Sequence, residues 1–403
     1  MSSLRSLLVD NRDFRRLFLA SVVSLTGDWF SFVAVADLVT RLTGRPGAAA
    51  FVYAATVLPV FVASPIAGAV ADRYDRRRIL VIADIVRVPF ALALVAAAAW
   101  GSVALAIAAV IALGVAASFY DPVASAATPN LVPKAQLAQA QALMGAVWGS
   151  MLLVGAGLGG LTSELFGIQT AFVVDAATFA ISAVLVAGIR APMQERAPAP
   201  RAPGQLREAL RYVRGNGLIA RLVLAKVGVS SANGTVGLLP AYARAYTGTS
   251  IATGLLLAAR GLGALLGPIL ARASAGPAPS TRAVIWICAG STLLYVVFYA
   301  LLPLTPWFGV ALLLVTLAHL GGGAQWSLST YGLQVATPDH LRGRVMSLDY
   351  GLATLAIGLS SIAAGLLADA FGAARATWCL GALGAVYGIG WLAWSARYAR
   401  RPG

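Results

Sequence analysis

The feature that most constrains this chain is a recurrence. A stretch of about twenty apolar residues gives way to a short cluster of Arg, Pro or Gly, and the alternation repeats along nearly the whole sequence. The apolar runs lie at about 14–40, 48–71, 79–100, 102–124, 141–163, 170–189, 218–245, 251–271, 283–303, 306–330, 345–370 and 374–396. A helix that crosses the hydrocarbon core of a bilayer needs ~20 mostly apolar residues, so each run is long enough to span. The 403 residues, 59% hydrophobic and 11% charged, leave no room for a sizeable water-soluble domain, since soluble domains carry ~25% charged residues. The pattern predicts an all-α membrane protein of twelve transmembrane helices.

Net charge is +15, but the basic residues form short clusters between runs and never the long stripe of a nucleic-acid-binding surface. Placing the N-terminus in the cytoplasm puts 23 Lys and Arg on the inner side and four (Arg41, Arg45, Arg244, Arg375) on the outer side. By the positive-inside rule this bias predicts both termini in the cytoplasm. The N-terminal Arg5, Arg12, Arg15 and Arg16 precede an apolar run with no small-residue cleavage site, which reads as a retained first span. Cys288 and Cys379 lie inside apolar runs and give no disulfide framework, and His319 and His340 are too few for a metal cluster.

The segment 190–217, with Pro192, Pro198, Pro200 and Pro203 followed by Leu206 to Arg214, divides the runs six and six. It reads as a cytoplasmic linker ending in a short amphipathic helix, between an N-terminal bundle over 1–189 and a C-terminal bundle over 218–403. A shift of 205 residues aligns Arg16-Leu17 with Arg221-Leu222, Asp28 with Asn233 and Pro133 with Pro338. It also aligns Gly160 with Gly365, Glu164 with Asp369 and Phe166-Gly167 with Phe371-Gly372. Polar landmarks sharing one offset point to two pseudo-symmetric six-helix halves.

Between runs 2 and 3 stand Gly68, Asp72, Arg73, Asp75, Arg76, Arg77 and Arg78. This stretch resembles the signature loop of the major facilitator superfamily, and the repeat agrees with that fold. The resemblance implies a cytoplasmic latch in which Asp72, Arg73, Arg76 and Arg77 act with an acid at the end of run 4, the position of Asp121. Gly68 would allow close helix packing. Asp75 stands where much of the superfamily has glycine, and the second-half counterpart, Gly267 followed by Ala271-Arg272, lacks the acid. Asn11 to Arg15, Gly27-Asp28, Asp84, Arg87, Pro129 to Pro133 and Pro338 to Val345 further resemble the macrolide-efflux and enterobactin-export branch. Run 5 carries Gly155, Gly157, Gly159 and Gly160, similar to the antiporter glycine motif but with Ala156 in place of its proline. The same glycines fit G-x-G-x-x-G, but a dinucleotide site needs a preceding strand, and close helix packing is the better account. No glycine precedes Lys134 or Lys226, so there is no Walker A loop.

A carboxylate near the bilayer centre costs ~2.5–3.5 kcal/mol even on an insertion scale, so each acid in a span needs a partner, water or a function. Asp28, midway along run 1 with Ser21, Ser24 and Phe32 on one face, is the first choice of proton carrier; the alternative is a permanently bonded helix pin. Asp37 reads as an outer proton port or a hydrated acid, and Asp175 poses the same choice. Asp84 and Arg87, spaced i, i+3, read as an intrahelical ion pair. Asp349 is a neutralising acid for Arg342, Arg344 or the signature loop. Lys226 and Arg260 are cations inside spans, and Asn233 occupies the repeat position of Asp28. Together with Trp29, Trp148, Gln325, Trp326 and Tyr331 they are candidates for a substrate cavity.

The leading expectation is a monomeric, proton-coupled exporter of amphipathic small molecules such as drugs, antibiotics or siderophores. It would lie in a bacterial inner membrane, use the proton gradient and no bound cofactor, and have as partners its substrate, protons and the bilayer. A metabolite importer or facilitator of the same fold is the alternative, and a lipid-handling or non-transporting receptor a third. No enzyme constellation such as Gly-x-Ser-x-Gly or His-Glu-x-x-His is present.

Overall fold

The computed structural model describes residues 6–133, 136–194, 205–276 and 279–399, which form helices joined by short turns. Lys134 and linker residues 195–204 lie outside the described residues, as do the side chains of Gly68 and Asp72. The helices are α1 Arg12–Thr43, α2 Ala48–Arg73, α3 Arg76–Trp100, α4 Val103–Leu131, α5 Leu137–Phe166, α6 Ile168–Ala187, α7 Gln205–Gly215 and α8 Gly217–Ala232. They continue with α9 Leu239–Tyr246, α10 Ser250–Ala275, α11 Thr281–Leu301, α12 Phe308–Ala336, α13 Asp339–Phe371 and α14 Ala373–Ala399. Among the described residues, 11 helical segments are long and apolar enough to cross a membrane, and Ala48–Ala63 of α2 forms a shorter apolar stretch.

The helix boundaries have local causes. Asn11 caps α1 by accepting from Phe14 N at 2.9 Å, and Asp75 caps α3 by accepting from Arg78 N at 2.9 Å. Where the superfamily loop has glycine, this chain therefore places a helix cap. Gly167 and Gly372, partners in the 205-residue repeat, both take a positive φ (84° and 85°) and turn the chain from α5 into α6 and from α13 into α14. The repeat also keeps a job for its arginines: Arg16 donates to Gly188 O just past α6, and Arg221 to Trp394 O in α14 at 3.1 Å.

Run 7 forms one segment long and apolar enough to span, Gly217–Tyr246, as its hydropathy predicts. It is not α-helical throughout, since it passes at Asn233 into a 3-10 stretch, Asn233–Leu238, before α9 begins. Pro240 supplies the reason: its ring has no N–H for the carbonyl four residues back and crowds that turn.

The chain divides into two compact units. The first holds 1–44, 55–201 and 249–258, so it includes the start of α10; the second holds 45–54, 202–248 and 259–403, so it includes the start of α2. In the first, α6 packs against both α1 and α3, while α4 lies on α3 and α5 on α1. Leu17, Leu80, Val123, Val186 and Ile189 fill the apolar core at one end of these helices. In the second, α11 lies on α12 and α14, and α8 on α13 and α14, around Leu222, Ile285, Cys288, Leu328 and Trp391.

Each unit has one tight helix crossing built on a repeat glycine, and each crossing ends in an acid. In the first unit, a Cβ on Gly160 would come 2.7 Å from Ser250 O and 3.0 Å from Gly254 Cα, and Glu164 accepts from Ser250 N at 2.8 Å. In the second, a Cβ on Gly365 would meet the Phe51 ring at 2.6 Å, and Asp369 accepts from Gly47 N at 2.9 Å and from Arg45 Nε at 2.9 Å. The glycine-rich stretch of α5 is thus a packing surface. Gly155 and Gly159 lie against α1, where a Cβ would come 2.8 Å from Thr26 O and 2.7 Å from Phe30 Cα.

Candidate functional site

The polar interior of the first unit is assembled from four helices. On α1, Ser24, Asp28 and Ser31 follow one another at i, i+4 and i+7 and so share a face. On α6, Asp175, Phe179 and Ser182 follow the same spacing, and all three are buried. The two stripes meet. Ser31 Oγ donates to Asp175 Oδ2, and Thr178 Oγ1 lies 3.4 Å from Asp175 Oδ1. Asp28 is half-buried, whereas Asp175 has no exposed surface.

From α3, Asp84 and Arg87 enter the same interior. Their 3.6 Å ion pair is the one their spacing predicts, but it is only part of their environment. Arg87 Nη1 donates to Ser24 Oγ on α1 at 3.2 Å, and its guanidinium lies 5.1 Å from the ring centroids of both Tyr120 on α4 and Phe179 on α6. Tyr120 Oη in turn sits 3.3 Å from Ser182 Oγ. An intrahelical pair is therefore too narrow a description, because Arg87 is the hub of a network reaching all four helices. Asp28, Asp84 and Asp121 all act electrostatically on Arg87, and Asp28 on Asp175. Arg87 thus pairs with Asp84 and acts at longer range on Asp28, Asp175 and Asp121, the last of which is exposed.

Asp121 belongs to this group on α4, next to Tyr120, and not to an ion pair with the signature-loop arginines. Among the described residues, two of those arginines, Arg76 and Arg77, bind main chain. Arg76 Nη1 donates to Ala126 O at 2.7 Å and Met193 O at 3.1 Å, and Arg77 Nη2 reaches Arg190 O and Ala191 O at 3.4 and 3.3 Å. Asp13 accepts from Arg190 N and Ala191 N, and Asn130 donates to Met193 O at 2.8 Å. The residues just after α6 are thereby stitched to α1, α3 and α4 within the first unit. The physical reason is that the carbonyls at and beyond a helix C-terminus lack intrahelical donors, and a guanidinium fork satisfies several at once. Arg73 is exposed, at the end of α2.

Asp37 differs from an open proton port. It is ion-paired with Arg41 at 2.6 Å and accepts from Ser250 Oγ at 2.6 Å, so it organises the start of α10. Trp29 is buried edge-on to Phe32 and to Trp148, with centroids 5.7 and 5.9 Å apart, and of these rings only that of Trp148 is well exposed, at 43%.

The candidates in the second unit separate into three settings. Lys226 is buried against Asp349, donates to Thr330 Oγ1 at 2.8 Å and lies 4.9 Å from the Trp326 ring. Asp349 is therefore the counter-ion of Lys226, and the proposed neutralisation of Arg342, Arg344 or the signature loop is replaced by this pair. Arg344 instead pairs with Glu208 of α7. Arg260 donates to Tyr53 Oη at 3.0 Å, and Tyr53 donates to Asn233 Oδ1 at 3.1 Å, at the break after α8. Gln325 is enclosed, its Nε2 donating to Ala225 O at 2.8 Å and Thr292 Oγ1 at 2.7 Å, which is the setting of a packing pin and not of a cavity wall. Trp326 and Tyr350 form an exposed edge-on pair at 6.1 Å. Tyr331 is half-buried, and its side chain makes no hydrogen bond among the described residues.

The sequence reading missed the joint role of Asp175, Tyr120 and Ser182. The signal was present as the polar stripe at i, i+4, i+7 on run 6, which matches the stripe through Asp28 on run 1.

Many apolar spanning helices, an internal repeat and charged side chains enclosed among the helices define a polytopic membrane transporter. The chain belongs to the Major Facilitator Superfamily, whose family model matches residues 17–350. It is 31% identical over 379 residues to the multidrug efflux pump Tap of Mycolicibacterium fortuitum, covering 88% of this chain and 89% of that one. It is 23% identical over 372 residues to macrolide efflux protein A of Streptococcus pyogenes, covering 89% and 90% of the two chains. Among solved structures, a POT family transporter in complex with 5-aminolevulinic acid shares the fold, with a TM-score of 0.79 and 12% identity over 97% of each chain.

Proposed function

We propose that the protein is a proton-coupled exporter of amphipathic small molecules that works by alternating access in a bacterial inner membrane, with both termini cytoplasmic. The observation that carries this reading is the acid excess inside the first unit, where Asp84 and Asp175 are buried and Asp28 half-buried around the cation Arg87. If all three of these acids were ionised, two negative charges would stand uncompensated in a low-dielectric interior, at several kcal/mol per ion. Protons are the counter-ions that such a group can take up and release. Asp28, half-buried where Asp84 and Asp175 are enclosed, is the carboxyl through which they exchange. The proton gradient replaces any cofactor. One proton moving inward supplies about 2.3 kcal/mol per 100 mV, enough for a substrate gradient of tens-fold at 1.4 kcal/mol per decade.

The names of the relatives support the direction and the substrate class. An importer reading would use Lys226 and Arg260 to hold an anionic group, and Lys226 is already engaged with Asp349. The test is transport of a radiolabelled macrolide and a fluorescent dye into everted membrane vesicles under an imposed pH gradient. Wild type is expected to accumulate both. Asp28→Asn should abolish uphill accumulation while leaving gradient-driven equilibration, and coupling that survives Asp28→Asn refutes the assignment.

A further inference from the structure

Helix α1 carries a notch opposite Asp175. Gly27 faces α6 where a Cβ would fall inside the van der Waals shell of Thr178 Oγ1 and 2.5 Å from Asp175 Oδ1. Any side chain at 27 would push the carboxyl away from α1. On the same face, one turn later, Ser31 Oγ donates to Asp175 Oδ2. Asp28 lies between these two residues in sequence, three before Ser31, so the Asp28 carboxyl and the Ser31 hydroxyl lie on one side of α1. Asp175 has no exposed surface, and neither of its two hydrogen-bond partners, Ser31 and Thr178, is a cation. The charged groups that act on it from other helices are Asp28 on α1 and Arg87 on α3, and Arg87 is engaged by Asp84, Ser24 and two aromatic rings.

We infer that Asp175 is a second proton-binding site, an enclosed store that exchanges its proton with Asp28 through the Ser31 hydroxyl, and that Gly27 exists to seat it. The transfer requires the Asp28 carboxyl to swing into hydrogen-bond reach of Ser31 Oγ, which in this structure is bonded to Asp175 alone; Asp28–COOH then gives its proton to Ser31 Oγ as Ser31 passes its own to the Asp175 carboxylate. One O–H bond is broken and one formed at the hydroxyl. The Asp28 carboxylate and the Asp175 carboxyl are the products, with no change in net charge. This rests on the proposed proton-coupled function and deepens it, because an enclosed store lets the proton stay bound while the exchanging carboxyl changes exposure.

The experiment is infrared difference spectroscopy of the full-length protein in lipid vesicles, comparing about pH 5 with about pH 9 and reading the carbonyl stretch of protonated carboxyls. Wild type should show at least two pH-dependent carboxyl bands. Asp175→Asn should remove one of them and shift the pH midpoint of the Asp28 band, Asp28→Asn should remove the other, and Ser31→Ala should move the frequency of the Asp175 band without removing it. Gly27→Ala should reproduce the Ser31→Ala shift or exceed it. If Asp175→Asn leaves the spectrum of wild type while Asp28→Asn changes it, the inference falls and the proposed function stands. If Asp28→Asn leaves the spectrum unchanged while Asp175→Asn alters it, the exchange role of Asp28 falls instead. Unchanged spectra for both variants overturn both readings. Ser31→Ala and Gly27→Ala retain all the acids, so they provide the test even if a charge-removing variant fails to fold.

Discussion

Lys226 and Asp349 offer the sharpest test of how this membrane interior tolerates charge. Both are at most 2% exposed, and their contact joins α8 to α13. Asp349 Oδ1 has no hydrogen-bond partner, so its carboxylate depends on Lys226 through Oδ2. Lys226→Met would leave a buried carboxylate with no counter-ion, a change that costs about 3–5 kcal/mol. Thr330 would not add to the loss, because its hydroxyl donates to Trp326 O at 2.7 Å whether or not the ammonium is present. The double variant Lys226→Met with Asp349→Leu removes both desolvation penalties and should return to within about 1 kcal/mol of wild type. Unfolding of wild type, Lys226→Met, Asp349→Leu and the double variant in mixed detergent micelles with increasing SDS gives the four corners of a double-mutant cycle. The reasoning fails if Lys226→Met alone loses less than about 1 kcal/mol, or if the double variant is as unstable as the single.

Four further outcomes follow from the packing and caps. Asp75→Ala removes the cap of α3 and should cost about 0.5–2 kcal/mol in the same unfolding assay, whereas Asp75→Ser should stay near wild type. Gly254→Val places branched carbons against Ala156 O and Gly160, and overpacking of this kind costs about 1–3 kcal/mol; detergent-solubilised monomer yield should fall, with a Gly290→Val control, where a Cβ meets nothing within 4 Å, unchanged. Gln325→Leu should lower stability by about 1 kcal/mol through lost hydrogen bonds and leave the ratio of macrolide to dye transport as in wild type; an altered ratio would return Gln325 to the substrate site. Arg87→Met should impair both stability and transport more than Asp84→Asn does, because Arg87 serves four helices and Asp84 makes a single 3.6 Å pair.

Much of the fold was legible because bilayer thickness and hydropathy impose one scale on every span. The runs that hold Asp28, Arg87 and Gly160 each became one helix within a few residues of the expected bounds. The seventh run also became one span, Gly217–Tyr246, but its 3-10 stretch was not anticipated, since hydropathy is blind to the backbone donor that Pro240 lacks. At the site, single residues were easier to find than their grouping. Asp28, Asp84 and Arg87 stood out as charges in apolar runs, but which faces of α1, α3, α4 and α6 meet depends on tertiary packing that one sequence does not encode locally. Asp121 was drawn to the signature loop by family resemblance, and its neighbours Tyr120 and Arg87 were the better guide. The bonds of Arg76 and Arg77 to the carbonyls at 126 and 190–193 were not anticipated, because unsatisfied main-chain acceptors at helix ends leave no mark on composition.

Glu164 and Asp369 hold equivalent places in the two repeats, yet Glu164, from the first repeat, secures the start of α10 in the second, and Asp369, from the second, secures the start of α2 in the first. One acid thus clamps the start of α10 and its equivalent clamps the start of α2, so removal of either should loosen one helix start and leave the other held. The two clamps differ in their company, with Arg45 beside Asp369 and the Arg41, Asp37 and Ser250 group near Glu164.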